Sequence, residues 1–280
     1  MQIHSQNPQS KIHPTAVIQD GAQIEEGVEI GPYSIIGKDV TIGKGTIVSS
    51  HAVIEGWTTI GTDCKIHQFV SIGTPPQDIT YKGEKTEVII GNNNVIREYV
   101  TVHRATVKAE KKTIIGDNYF LMAYVHIAHD CCISNNVIMA NAATLAGHVK
   151  VDDYAIVGGL VAIHQFANVG AYAIIGGASA ITHDVPPYVM AVGNRAKLYG
   201  LNKVGLRRHG FSREEIDSLK KAYNILFRSS LTLRDAVGRL ELEQELKHSA
   251  HVVKLIEFIK GSKRGITRET GRRAEENEAG

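Results

Sequence analysis

Cysteine is scarce in this chain, with Cys64, Cys131 and Cys132 the only three in 280 residues, so a disulfide-stapled fold is excluded. Aromatic residues are few as well, which suits a narrow core lined by aliphatic side chains. Neither charge sign dominates: the formal balance is +2 at pH 7, and charge alone gives no reason to expect a nucleic-acid partner. Also missing is any uninterrupted apolar run long enough to span a bilayer. The opening MQIHSQNPQSK lacks the apolar stretch of a secretion signal. These absences leave a cytoplasmic protein with no membrane span as the expectation.

What the chain does have is a branched aliphatic residue at every sixth position. Ile12, Ile18, Ile24, Ile30, Ile36, Ile42, Val48, Ile54, Ile60, Ile66 and Ile72 follow one another without a miss. The beat resumes at Ile90, Ile96 and Val102. It then runs from Ile115 through Leu121, Ile127, Ile133, Met139, Leu145, Val151, Val157, Ile163, Val169 and Ile175 to Ile181. Neither a helix nor an alternating strand has that period. A stacked solenoid with one short strand per hexad does, and hexapeptide repeats mark a parallel β-helix. The residue two before each beat is small or β-branched, as at Ala16, Ser34, Thr46, Ala52 and Val70, and shares the inward face. Cys64 and Cys131 fall on these positions and read as core fillers. Asn94 and Tyr119 break the rule, so an irregular coil is expected at each.

The repeats cover about residues 12–186 and close at Val185-Pro186-Pro187. We therefore expect a β-helix over residues 1–190, a small α-helical domain over 191–261 and a disordered tail over 262–280. Helical periods begin near 196, and Ser212-Arg213-Glu214-Glu215 forms a capping box ahead of Ile216, Leu219, Tyr223 and Leu226. Further helices are expected near 232–246 and 250–260, covering one end of the solenoid. Two excursions leave the coil: residues 73–89 keep the phase, whereas 103–114 shift it by one. Loops on a rigid scaffold are where binding residues tend to lie.

Three hexads per coil is the usual triangular arrangement, which puts residue n beneath residue n+18. His129 then lies beneath Gly147, next to His148, and His164 stands two coils above Ala128. His126, His129, His148 and His164 thus gather near one edge. Counting alone leaves three accounts open. The histidines could have no role. They could hold a metal, since neutral imidazole is the commonest ligand. Or His129 could be a general base, with Asp130 orienting its ring and Gly147 offering an unobstructed amide. A base, an orienting acid and an amide donor are the parts that acyl transfer to a hydroxyl requires.

The run His126-Ile127-Ala128-His129-Asp130-Cys131, the segment Asn141 to His148 and His164-Gln165-Phe166 resemble the UDP-N-acetylglucosamine O-acyltransferases of lipid A biosynthesis. So do Pro76-Gln77-Asp78, Asp184-Val185-Pro186-Pro187-Tyr188 and the stretch Gly205 to Ser212, and the likeness extends over roughly residues 10–260. The resemblance implies a left-handed β-helix and a homotrimer with active sites between subunits. The hand comes from the resemblance only, since the general crossover rule favours the other one. It further implies transfer of an (R)-3-hydroxyacyl group from acyl carrier protein to the 3-hydroxyl of UDP-N-acetylglucosamine, with neither metal nor cofactor.

In that reaction His129 would be the base, Asp130 its partner and the Gly147 amide the oxyanion contact. Asp78 and His126 would hold glucosamine hydroxyls, and His148 and His164 would line the cleft. Gln165, Asn202 and Arg208 match positions that bind the UDP portion, where a guanidinium suits diphosphate. Thr80 departs from the pattern, standing where a lysine often follows Gln-Asp, and His209 replaces the second of two arginines.

If the acyl chain runs along the coils, a side chain at Gly177 would end its groove, and glycine there predicts a longer hydroxyacyl donor. Acyl carrier proteins are acidic, so Lys203, Arg207, Lys220, Lys221 and Arg228 form the expected docking surface. The rival readings are the N-acyltransferase of the same pathway, a zinc hydratase of the γ-carbonic-anhydrase type and a non-catalytic scaffold. Beginning the repeats at about residue 12 leaves no space for the extra N-terminal domain of the N-acyltransferase. Acyl-chain length, and hydroxyl against amine as the acceptor, are not decided by the sequence.

Overall fold

The computed structural model describes residues 10–269. Most strands are two residues long, and every third one joins the same sheet, giving parallel sheets of eleven, nine and eight strands. These are the three faces of a parallel β-helix. Lys11 pairs with Glu29, and His126 with Thr144 and in turn Ala162, the 18-residue offset expected of three hexads per coil. A two-residue strand has too few hydrogen bonds to stand alone and is held by stacking on its neighbours. The beat residues fill the interior: Ile36, Ile54, Ile96, Ile127 and Leu145 are fully buried. Burying one such side chain contributes about 1.5–3 kcal/mol.

The excursions change the offset as the phase predicted. Lys65 pairs with Val95, 30 residues on, so the first inserts whole hexads. Val95 pairs with Phe120, 25 residues on, so the second inserts one residue more than a hexad. The irregular coils expected at Asn94 and Tyr119 do not form, because the neighbouring strands stay in register. Asn94 replaces an aliphatic contact by bonds its side chain can make, Nδ2 to Gly116 O at 2.9 Å and Oδ1 from Tyr119 N at 2.7 Å.

Corners turn on residues in the left-handed region. At the corner after the strand His126–Ile127 these are Asp130 (φ 60°), then His148 (61°) and Phe166 (65°) on the next two coils. Such φ values cost a non-glycine residue roughly 1–2 kcal/mol. Bonds to the coil below offset that cost: His148 N to His129 O at 3.0 Å, Phe166 N to Gly147 O at 3.1 Å, and Asp130 N to Thr113 Oγ1 at 2.9 Å. The three side chains therefore leave the coil at one edge, a rung apart.

The boundary anticipated at 190 falls inside the strand Val189–Val192, which pairs with Ile174–Ile175 and with the antiparallel strand Lys197–Leu201. β-structure thus replaces the helical period expected from 196. Helices follow: α1 (Lys203–Arg208), α2 (Arg213–Tyr223) continuing into a π turn (Asn224–Arg228), α3 (Leu233–Leu242) and α4 (Ala250–Gly261). The capping box of Ser212 and Glu215 is formed at α2. Residues 262–269 are not the disordered start of a tail, because their main chain finds partners. Asp184 N donates to Gly265 O, Thr267 N to Asp184 O and Leu198 N to Arg268 O. Arg228 clasps the Glu269 carboxylate, its Nη2 2.6 Å from Oε1. The remainder of the expected tail, 270–280, lies outside the described residues. No helix among them is long and apolar enough to cross a membrane.

Candidate active site

His129 sits at the corner between the strands His126–Ile127 and Cys132–Ile133, and its Nδ1 lies 2.8 Å from Asp130 Oδ2. The carboxylate can only accept, so the ring proton is on Nδ1 and the Nε2 lone pair is free. The Asp130 side chain is 1% exposed. Burial pushes its carboxyl up, but bonds from His129 and Thr106 outweigh burial and hold it below the usual carboxylate range. It is therefore an anion, able to stabilise an imidazolium.

Gly147 lies against the His129 ring as the counting placed it. A Cβ there would be 2.4 Å from His129 Cε1 and 2.7 Å from Nε2, so only glycine leaves the imidazole its place. The Gly147 N–H has no acceptor among the described residues.

His148 stacks on Phe166 with ring centroids 4.6 Å apart and meets His129 edge-on at 5.2 Å. Burial lowers its pKa, although the Asp130 carboxylate opposes that shift. Gln77, Asp78, Lys108, His129, His148 and Gln165 line one cleft of about 670 Å³. His126 and His164 do not line it. His126 lies on the adjoining face, its Nδ1 2.7 Å from Thr101 Oγ1, and burial lowers its pKa, with His129 adding to the effect. His164 is exposed, its Nδ1 3.1 Å from Gln165 O.

The other expected binding residues stand at different corners of the same chain. Asn202 caps α1 through Oδ1, while its Nδ2 donates to Tyr172 O, at the corner between Asn168–Val169 and Ile174–Ile175. Arg208 ends α1 and is exposed. Gly177 is exposed at the third corner, between Ile174–Ile175 and Ala180–Ile181, next to the outward Leu160 and Ala178. His129, Asn202 and Gly177 thus stand at three different corners of the coil, with Gln165 at the His129 corner. The residues of the expected docking surface fall into two sets. Lys203, Arg207 and Lys220 surround a hollow of about 480 Å³ floored by Phe211 and Ile216. Lys221 and Arg228 instead pair with Glu245 and Glu269.

Counting by 18 missed the residues contributed by the excursions. Thr106 donates to Asp130 Oδ2 twice, from N at 3.0 Å and Oγ1 at 2.8 Å. Lys108 reaches Asp78 Oδ2 at 2.6 Å, and Thr80, where the resemblance pointed to a lysine, bonds Asp78 Oδ1. Lys108 first, then Thr80, hold the Asp78 carboxyl far below the usual range. Arg104 is buried; its guanidinium donates to Gly73 O at 2.6 Å and Tyr81 Oη at 3.1 Å, stapling the excursions together. The break in phase after Val102 was the available signal.

Among the described residues, His129, Asp130 and His148 present ligand atoms within 4.8 Å of one another, a group that could hold a metal ion. His129 Nδ1 and Asp130 Oδ2 are themselves joined by a hydrogen bond.

Comparison with known proteins places the chain among acyltransferases. Residues 184–267 match the family model described as UDP-N-acetylglucosamine O-acyltransferase, domain 2, and residues 21–56 match the bacterial transferase hexapeptide. The acyl-[acyl-carrier-protein]–UDP-N-acetylglucosamine O-acyltransferase of Thermodesulfovibrio yellowstonii is 60% identical, covering 92% of this chain and 100% of its own. Among solved structures, LpxA from Acinetobacter baumannii is 47% identical with a TM-score of 0.89, covering 92% of this chain and 99% of that one. The UDP-N-acetylglucosamine acyltransferase of Francisella novicida is 40% identical with a TM-score of 0.90, covering 93% and 95%.

Proposed function

The chain belongs to the UDP-N-acetylglucosamine O-acyltransferase family, and from that premise we propose that it transfers an (R)-3-hydroxyacyl group from acyl carrier protein to the 3-hydroxyl of UDP-N-acetylglucosamine. This is the first step of lipid A biosynthesis, carried out in the cytoplasm. The observation that carries the reading is the His129–Asp130 bond of 2.8 Å beside a glycine that has no room for a side chain.

His129 Nε2 takes the proton of the sugar hydroxyl as its oxygen attacks the thioester carbonyl. The negative charge of the tetrahedral intermediate falls on the former carbonyl oxygen, where the Gly147 N–H donates to it. Collapse breaks the carbon–sulfur bond, and the imidazolium returns its proton to the departing sulfur. Asp130 stabilises the imidazolium without itself being protonated. A positioned base of this kind is worth about 10²–10⁴-fold in rate.

Asp78 and His126 hold glucosamine hydroxyls, and His148 and His164 flank the sugar and thioester. Gln165, Asn202 and Arg208 bind the UDP portion, and Gly177 leaves space for the acyl chain. Asn202 and Gly177 stand at corners of the chain other than that of His129 and Gln165, which supports a homotrimer whose sites form between neighbouring subunits. The test is purified protein with UDP-N-acetylglucosamine and a panel of acyl carrier protein thioesters. The expected product is a 3-O-acyl ester that forms only from 3-hydroxyacyl donors. A product from an amine-bearing sugar alone, or no product, would overturn the assignment.

A further inference from the structure

Lys108 is the one lysine or arginine among the residues lining the His129 cleft. Its ammonium is 2.6 Å from Asp78 Oδ2 and half exposed, while the Asp78 side chain is 11% exposed. The other oxygen, Oδ1, accepts from Thr80 N at 2.8 Å and Thr80 Oγ1 at 2.7 Å. One side of the carboxylate is thus fixed by its own turn, and the other by a cation from the second excursion. A partly exposed ion pair adds little to stability, so the fold does not account for Lys108.

The cleft supplies a reason. Asp78 is the carboxylate that lines it, with the buried Asp130 behind His129; the charged and titratable groups acting on His148 are Asp130, His129, Lys108 and Asp78, with Phe166 stacked on the ring. Glu84 is the further charged group near Asp78. We propose that Lys108 is a positioning residue for the acceptor sugar, the counter-ion that holds the Asp78 carboxylate in its binding orientation and cancels its charge within the cleft. The inference rests on Asp78 as a sugar-binding group. Without the ammonium, Oδ2 is free to rotate away from the sugar hydroxyls, and the uncompensated anion draws a proton onto His148.

Lys108→Met in the full-length protein tests this. KM for UDP-N-acetylglucosamine should rise about tenfold, as for a lost charge-assisted bond, with kcat changed less. Lys108→Arg should stay near wild type, and adding Thr80→Lys to Lys108→Met should recover most of the loss by returning the cation from the other loop. NMR titration of the His148 ring should show its pKa rising in Lys108→Met and falling back in the double variant. An unchanged KM would overturn the role, as would a loss that persists in Lys108→Arg and is not restored by the relocated lysine. If the wild-type protein binds UDP-N-acetylglucosamine but does not acylate it, the proposed function falls; calorimetric binding of the sugar nucleotide then decides the role of Lys108, a Kd about tenfold weaker in Lys108→Met supporting it and an unchanged Kd overturning it.

Discussion

At the scale of residues, the site depends on one ring being held in one place. Gly147→Ala puts a methyl group where His129 Cε1 and Nε2 now lie. The ring can swing outward, so the fold should survive, but a base displaced by about 1 Å costs on the order of 10² in rate. We expect kcat to fall by that factor while the thermal midpoint stays near wild type; a Gly147→Ala protein with wild-type kcat would refute the packing argument. Thr106 acts on the other partner. Thr106→Val keeps the shape and removes the Oγ1 donor to Asp130, and should lower kcat about tenfold, with Thr106→Ser largely preserving it. The sign of the pH effect follows from Asp130, whose folded pKa lies below its unfolded value. The associated stability is present above the unfolded value of about 3.9 and is lost as pH falls through the folded one. The stability deficit of Thr106→Val should therefore be full near neutrality and shrink in melts below about pH 4. A deficit that grows on acidification would contradict it.

At the scale of elements, the coil was legible because its interior is repetitive. Ile127 and Leu145 must be aliphatic and 18 residues apart for the rungs to stack, and that constraint prints itself on the sequence. The same register brought His129 under Gly147 by counting alone. Thr106, Lys108 and Arg104 were not legible, since they sit in an excursion where no interior constraint fixes spacing. Residues 262–269 were misread for a related reason: their main chain is held by main-chain groups of Asp184 and Leu198, which leave no compositional trace. Asn94 shows the converse, a polar residue in an aliphatic column satisfied by bonds that no period announces. The corner at Gly177 carries its own prediction. Gly177→Met fills space outside the coil, so preference across a panel of hydroxyacyl donors should shift toward shorter chains. An unchanged preference would remove position 177 from the acyl groove.

At the scale of the whole molecule, the three-sided prism separates what one reaction needs together. His129 stands at one corner of the coil and Arg208 ends the helix that Asn202 caps at another, so in the proposed reaction a complete site draws on edges of different chains. Mixing His129→Ala chains with Arg208→Ala chains, unfolding them together and refolding them into mixed assemblies tests this most directly. Each variant alone should retain only a trace of activity. Random assembly places an intact His129 edge against an intact Arg208 edge in about one site in four, so the mixture should recover roughly a quarter of the wild-type rate. A mixture no more active than either parent, or a His129→Ala protein as fast as wild type, would contradict the account.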